Sequence, residues 1–119
     1  MAIIHTSFVL AVPDLAGAST CWRDVLGFTR QMQPESWDFL VRDGCRVMRG
    51  ECVDDLAPAA LGSCSYFGYF TVDDVDAYHR EINARGAIIP SPPSNRPWGM
   101  REMVVRTPQG HRMTFGQQI

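Results

Sequence analysis

The alternation of hydrophobic and polar positions predicts one order of elements that occurs twice along the chain. Runs of β-branched and aromatic residues predict strands, whereas apolar residues three or four positions apart predict helices. By these rules we expect strands near residues 3–12, 37–41, 45–49, 65–72, 101–106 and 111–116, weaker strands near 28–33 and 87–89, helices near 15–26 and 74–85, and a proline-rich loop at 90–97. Val12 to Leu15 and Val72 to Val75 also lie in register, 60 residues apart. The pattern indicates duplication of one βαβββ unit.

The duplication predicts an α+β fold in a single domain that covers residues 1–119. We expect unit one to take residues 1–53 and unit two to take 64–119, joined by a linker at 54–63 where the periodicity is lost. Each unit would curl its mixed sheet, cover the convex side with its helix and leave the concave side free. Two concave sides, within one chain or across a dimer, would then enclose a cleft.

The first hairpin predicts which side chains of unit one face that cleft. Asp43-Gly44 is typical of a two-residue turn, because both of its residues tolerate positive φ. Such a turn places Phe39 opposite Met48. Side chains alternate along a strand, so one set shares the concave face: Trp37, Phe39, Val41, Arg46 and Met48.

A second hairpin closes the chain, with Pro108 and Gly110 in a four-residue connection. We expect Arg106 to lie opposite His111. This register turns Glu102 away from the cleft. It places five side chains of the hairpin on the concave face: Arg101, Met103, Val105, Arg112 and Thr114.

The closing segment resembles one known family. Pro97-Trp98-Gly99, then Arg101-Glu102, then Arg106 to Gly110 are similar to the end of bleomycin-resistance proteins, which belong to the glyoxalase/bleomycin-resistance/extradiol-dioxygenase (vicinal oxygen chelate) superfamily. Thr107 stands where that family usually has Asp, and Met100 is an extra residue. The resemblance implies two βαβββ units around a cleft.

The resemblance also implies where a metal would be bound. In metal-dependent relatives, His, Glu or Gln side chains project into the cleft from the first and last strands of each unit. The matching positions here are Ser7, Met48, Phe67 and Thr114. Such side chains are poor ligands for divalent metals, so we expect no metal and no cofactor. His5 would become a ligand only if this register were wrong.

Aromatic, thioether and arginine side chains are the candidate ligand-binding residues. They are Trp37, Phe39, Met48, Phe67, Tyr69, Trp98, Arg101, Met103 and Arg112. Such a lining suits a flat, conjugated small molecule, on which aromatic rings stack. Trp98 is the strongest candidate, because it lies in a Pro/Gly loop and matches a ligand-contacting Trp of the bleomycin-resistance family. No nucleophile constellation, phosphate loop or carboxylate pair is present, so we assign no catalytic residue.

Composition and charge limit the classes of binding partner that we expect. The net charge of −2 gives no electrostatic case for nucleic acid or an anionic membrane. Because no charged leader or long apolar run is present, we expect the protein in the cytoplasm. Four cysteines without a C-x-x-C pair predict free thiols rather than a zinc site: Cys21, Cys45, Cys52 and Cys64.

These observations favour a metal-independent binding protein that sequesters an aromatic or heterocyclic, antibiotic-like molecule in the cleft of a homodimer. The resemblance implies that such proteins confer antibiotic resistance by binding alone. One alternative is an enzyme, a glyoxalase I-like lyase or a dioxygenase, that uses His5 and a metal. Another is a structural or regulatory homologue whose cleft is filled by its own side chains.

Overall fold

The computed structural model describes residues 1–16, 20–54 and 58–119 and contains two four-stranded sheets. The strands are β1 (Phe8–Val12), β2 (Thr29–Met32), β3 (Trp37–Arg42), β4 (Cys45–Glu51), β5 (Tyr66–Thr71), β6 (Ile88–Asn95), β7 (Met100–Arg106) and β8 (Arg112–Gln118), and the helix α1 is Val75–Ala84. Sheet A has the order β1-β4-β3-β2 and sheet B the order β5-β8-β7-β6. The parallel neighbours are β1 and β4 in sheet A and β5 and β8 in sheet B. The remaining pairs are antiparallel. The predicted α+β fold of two similar units is confirmed.

Unit one has less regular helix than the pattern predicts. Residues 17–19 of the predicted helix at 15–26 lie outside the described residues. Cys21–Val25 form one widened turn, in which the Leu26 N–H donates to the Cys21 carbonyl oxygen over 2.9 Å. Trp22 and Leu26 are buried, as their helical spacing predicts. In the predicted linker, residues Pro58–Cys64 form 3₁₀ turns.

Unit two contains the regular helix. Asp74 caps α1, because its Oδ1 accepts a hydrogen bond from the Ala77 N–H over 2.9 Å. Val75 and Ile82 bury one side of the helix. The helix is followed by Gly86, whose φ of +85° suits a helix end. No helix in the described ranges is long and apolar enough to cross a membrane.

Two strand predictions are corrected. The first strand begins at Phe8 rather than at residue 3, because its backbone pairs only with β4, from Phe8 opposite Val47 onward. The predicted loop at 90–97 is mostly strand, since β6 extends to Asn95. β6 is one of the two outer strands of sheet B, and its pairing with β7 slips twice. An outer, irregular strand tolerates prolines, which have no N–H to donate.

The register of the closing hairpin also differs from the prediction. Arg106 lies opposite Arg112, not His111. The Thr107 N–H donates to the His111 carbonyl oxygen (2.8 Å) and the His111 N–H donates to the Thr107 hydroxyl oxygen (3.1 Å), so the connection has five residues instead of four. A shift of one residue exchanges the faces of a strand. Met103 is therefore opposite Phe115 in the core, and Glu102 is on the other face.

Both sheets bury one face in a common core. Its members are Leu10, Trp22, Leu26, Phe28, Leu40, Val47, Val75, Ile82, Met103, Val105, Met113 and Phe115. We call the face of each sheet that turns away from this core its open face. Because the core lies between the sheets, the open faces of sheets A and B do not pack on each other.

A buried ion pair within unit one is hydrogen-bonded to unit two through Gln109. Arg49 Nη1 lies 3.0 Å from Asp38 Oδ2, and both side chains are almost fully buried. Arg30 Nε binds the other carboxylate oxygen of Asp38 over 2.8 Å. From unit two, Gln109 accepts a hydrogen bond from Arg49 and donates one to the Asp14 carbonyl oxygen. Gln109 thus ties the closing hairpin to unit one.

Candidate functional site

The open face of sheet A carries three of the candidate residues side by side. Phe39 lies opposite Met48, which confirms the predicted register of this hairpin. The Trp37 ring is 5.9 Å from the Phe39 ring, centroid to centroid. Trp37 also lies over Gly50, where a Cβ would come within 2.9 Å of the indole. The small residue therefore leaves room for the ring to lie against the sheet.

The open face of sheet B is organised by Glu102. Its Oε2 accepts hydrogen bonds from the Tyr69 hydroxyl (2.7 Å) and from Trp98 Nε1 (2.9 Å). Arg96 Nε is 3.8 Å from the other carboxylate oxygen. Partial burial and the Glu102 carboxylate raise the pKa of Tyr69 to about 12, so this tyrosine stays a donor at neutral pH. One carboxylate thus orients two aromatic side chains.

Trp98 is displayed by a tight turn between β6 and β7. The Gly99 N–H donates to the Arg96 carbonyl oxygen over 3.1 Å, and Gly99 has a φ of +83°. The Trp98 side chain is 64% exposed. This agrees with the expectation that Trp98 lies at the surface, and Glu102 fixes its orientation there.

Three candidate residues lie away from the open faces. Phe67 occupies a bulge of β5, and its ring contacts Phe8 and Trp22 between the two units. Arg101 forms an ion pair with Asp76 of α1, with contacts of 2.9 and 3.0 Å. Met103 is fully buried in the core. The bulge and the shifted register account for these positions. The expected concave placement is corrected for all three.

The ninth candidate, Arg112, lies on the open face of sheet B. It is opposite Arg106 on β7 and opposite Tyr66 on β5. Its side chain is half-buried and its Nε is covered, with no hydrogen-bond acceptor.

The residues at the family's metal positions are spread over both units. Met48 is opposite Val9 in sheet A, and Thr114 is opposite Tyr69 in sheet B. His5 is exposed, and its Nε2 lies 3.1 Å from Arg46 Nη1. Within the described residues, no three His, Cys, Asp or Glu side chains are grouped so that they could hold a metal ion.

A cavity of about 430 Å³ lies where the β3–β4 turn approaches the end of β5. Phe8, Phe28, Phe115 and Tyr69 contribute aromatic walls, and Tyr69 is the one candidate residue that lines it. It contains two arginines: Arg42 is held by Glu81 (2.9 Å) and by the Leu26 carbonyl oxygen (2.8 Å), and Arg46 Nη1 lies 3.1 Å from His5 Nε2. The cavity lining does not include Trp98, and Arg42 is already ion-paired.

Three of the four cysteines are free thiols in the structure, as predicted: Cys21, Cys45 and Cys52. Burial raises the pKa of the Cys21 and Cys45 thiols. The Cys64 side chain lies outside the described part. A raised pKa disfavours the nucleophilic thiolate, so these two cysteines are poor candidates for chemistry.

Comparison with known proteins identifies the family of this chain. The sequence profile of the Glyoxalase/Bleomycin resistance protein/Dioxygenase superfamily matches residues 2–115. Over 65 residues the chain is 37% identical to an uncharacterized protein of Mycobacterium bovis, a match that covers 54% of this chain and 42% of that protein. The chain therefore matches less than half the length of this curated relative.

Solved structures share the fold over the whole chain. The bleomycin-binding protein of bleomycin-producing Streptomyces verticillus, complexed with copper(II)-bleomycin, has a TM-score of 0.77 at 22% identity, covering 97% of this chain and 96% of its own. TnmS3, an antibiotic-binding protein from Streptomyces sp. CB03234, has 0.76 at 24%, covering 100% and 99%. TioX from Micromonospora sp. ML1 has 0.74 at 28%, covering 97% and 98%. The chain belongs to the glyoxalase/bleomycin resistance protein/dioxygenase superfamily.

Proposed function

We propose that the protein binds a planar aromatic or heterocyclic small molecule, of the kind found among antibiotics, without altering it chemically. The observation that carries this proposal is the pair Trp98 and Tyr69, both held by Glu102 on the open face of sheet B. An exposed indole that is already oriented loses little rotational freedom when a ligand stacks on it. Two structural neighbours, a bleomycin-binding protein and an antibiotic-binding protein, support an antibiotic-like ligand.

The proposed site uses residues from both units. Sheet A contributes Trp37, Phe39 and Met48, and sheet B contributes Tyr69, Trp98 and Arg112. Binding here needs no metal, since the positions at which metal-dependent relatives hold one carry a hydroxyl, a thioether or a phenyl group: Ser7, Met48, Phe67 and Thr114. No residue is assigned a catalytic role.

We further propose that a second copy of the chain completes the cleft. The open faces of one chain do not pack on each other, so a two-sided cleft requires sheet A of one copy to face sheet B of its partner. Large apolar side chains are exposed on both faces: Val9 (63%) and Met32 (56%) on sheet A, Tyr66 (50%) and Tyr69 (46%) on sheet B. Exposed apolar surface of this kind is typical of an interface.

A thermal-shift screen tests the proposed function. Purified protein would be heated with a panel of aromatic natural products and, separately, with Zn²⁺, Ni²⁺, Mn²⁺ and Fe²⁺. A ligand that binds only the native state raises the midpoint by an amount set by RT ln(1 + [L]/Kd). We expect aromatic compounds to raise it and the metals to leave it unchanged. A metal-dependent rise that is lost in His5→Ala would instead favour the enzyme.

A further inference from the structure

Two arginines face each other on the open face of sheet B. Arg106 at the end of β7 lies directly opposite Arg112 at the start of β8. Directly opposite residues of an antiparallel pair have Cβ atoms about 5 Å apart, and like charges in this position destabilise a sheet. The pairing therefore costs stability unless a negative charge lies nearby.

The described residues supply no such charge. Neither Arg106 nor Arg112 forms an ion pair with any residue in the ranges 1–16, 20–54 and 58–119. Arg101, on the core side of the same hairpin, contrasts with them because it is bound to Asp76. The strands of sheet B contain one acidic residue, Glu102. Its Oε2 already accepts two hydrogen bonds.

We propose that Arg106 and Arg112 form an anion-binding subsite of the open face, which takes an oxyanion such as a carboxylate, sulfonate or phosphate. Guanidinium groups suit this chemistry, because their planar N–H donors match the oxygens of such anions. Two neighbouring guanidinium groups favour the anion further, since its charge offsets their mutual repulsion. The proposal rests on the proposed function, because the anion would be one end of the bound aromatic molecule.

The geometry of β7 gives the spacing between the two halves of the ligand. Glu102, which holds Trp98, is four residues before Arg106 on the same face of the strand. At about 3.4 Å per residue, the anion subsite is roughly 14 Å from Glu102 along the sheet. The ligand class is thus an elongated molecule with an aromatic system at one end and an acidic group at the other.

Matched probes test the subsite. The carboxylate 4-(biphenyl-4-yl)butanoate and its neutral amide would be titrated calorimetrically into the wild-type protein, Arg106→Gln and Arg112→Gln. Arg23→Gln, an exposed arginine of unit one, is the control. We expect the wild type and the control to bind the carboxylate at least about tenfold more tightly than the amide. In each site variant this preference should fall to about twofold or less, because the carboxylate loses more affinity than the amide.

A second measurement separates this proposal from the proposed function. Pyrophosphate, which has no aromatic part, would be added during thermal unfolding of the same proteins. If pyrophosphate raises the unfolding midpoint of the wild type and the control but not of the two site variants, the result supports the subsite. This holds even if neither biphenyl probe binds. In that case the proposed function fails and the subsite does not. Equal affinity for carboxylate and amide in the wild type, or no response to pyrophosphate, overturns the subsite. So does a carboxylate preference that survives in both site variants.

Discussion

Trp98 donates its indole N–H to Glu102 Oε2 over 2.9 Å although 64% of the tryptophan side chain is exposed. Exposed aromatic side chains ordinarily sample several rotamers, and this one is held in a single orientation by a carboxylate that also binds Tyr69. The hydrogen bond orders this part of the surface. It links the four-residue spacing of Trp98 and Glu102 in the sequence to the binding role that we propose for the open face.

Replacing Trp98 by Ala should reduce ligand affinity far more than stability. Loss of a stacking ring is expected to cost on the order of 1–3 kcal/mol, or about tenfold to a hundredfold in Kd. Because the ring is mostly exposed, the free energy of unfolding should fall by much less than the roughly 3–5 kcal/mol typical of a buried tryptophan. Calorimetric titration with the biphenyl amide and a urea denaturation curve measure the two quantities.

Phe39→Ala is the matched control for that substitution. Phe39 is a half-buried strand residue, so its truncation should lower both stability and affinity. If Trp98→Ala unfolds the protein yet leaves the residual affinity intact, Trp98 belongs to the core and the proposed site is wrong.

Substitution of Glu102 should loosen Trp98. Glu102→Ala removes the acceptor of both aromatic donors, whereas Glu102→Gln keeps a neutral oxygen that can accept. Hydrogen bonds to charged groups contribute about 1.5–3 kcal/mol, so probe affinity should fall by about tenfold or more in the Ala variant and by less in the Gln variant. The indole N–H resonance of Trp98, assigned by its absence in Trp98→Phe, should shift in the same order. An unchanged resonance in Glu102→Ala would refute this orienting role.

His111 should make the protein sensitive to acid. Burial, assisted by the positive charge of Arg49, lowers the pKa of His111 from 6.5 to about 4. Between these values the unfolded chain binds more protons than the folded one, so stability is full above pH 6.5 and falls as the pH drops toward 4. The difference corresponds to about 3 kcal/mol in the free energy of unfolding.

Urea denaturation between pH 7 and 4 measures this effect. His111→Gln cannot titrate, so its free energy of unfolding should decline less steeply than that of the wild type over this interval. Parallel pH profiles for the two proteins would show that another group causes the acid sensitivity.

Asp38→Ala should strongly destabilise unit one. It removes the Asp38 carboxylate from the fully buried Arg49 guanidinium, and breaking a buried pair in this way costs about 3–5 kcal/mol. The double variant Asp38→Leu, Arg49→Met removes both charges and should be more stable than Asp38→Ala. Denaturation curves for both variants and the wild type decide the point. A cost below about 1 kcal/mol for Asp38→Ala would contradict it.

Light scattering at micromolar concentration should give twice the chain mass of 13.3 kDa. Val9→Lys places a charge on the exposed apolar face of sheet A and should shift the equilibrium toward monomer. Val53→Lys, at another exposed valine, is the control and should leave the mass unchanged. A wild-type protein that is monomeric under these conditions would contradict the shared cleft.

The accuracy of the sequence predictions depended on how each turn is specified. Asp43-Gly44 forms the expected two-residue turn, with a positive φ of +50° at Asp43 but none at Gly44, and the predicted register of Phe39 and Met48 is correct. The connection after Arg106 is set by the Thr107 hydroxyl, which adds a residue to the loop. The turn residues Pro108 and Gly110 do not reveal this contact. The resulting register error of one residue placed Met103 and Arg101 on the wrong face of the sheet.

A signal for the correct register was nevertheless present. Pairing Met103 with Phe115 and Val105 with Met113 puts four apolar residues on one face, whereas the predicted register mixes them with polar residues. Applied first, this criterion would also have placed Glu102 beside Trp98. The division into units at 1–53 and 64–119, and the binding roles of the candidate residues, stay predictions.

The outer strand β6 limits how copies of the chain can associate. Pro90, Pro92 and Pro93 interrupt its row of N–H donors, and its pairing with β7 is already irregular. Such an edge is a poor template for a further strand. The prolines that make β6 resemble a loop in the sequence therefore oppose aggregation through this edge, whereas β5, the other outer strand of sheet B, contains no proline.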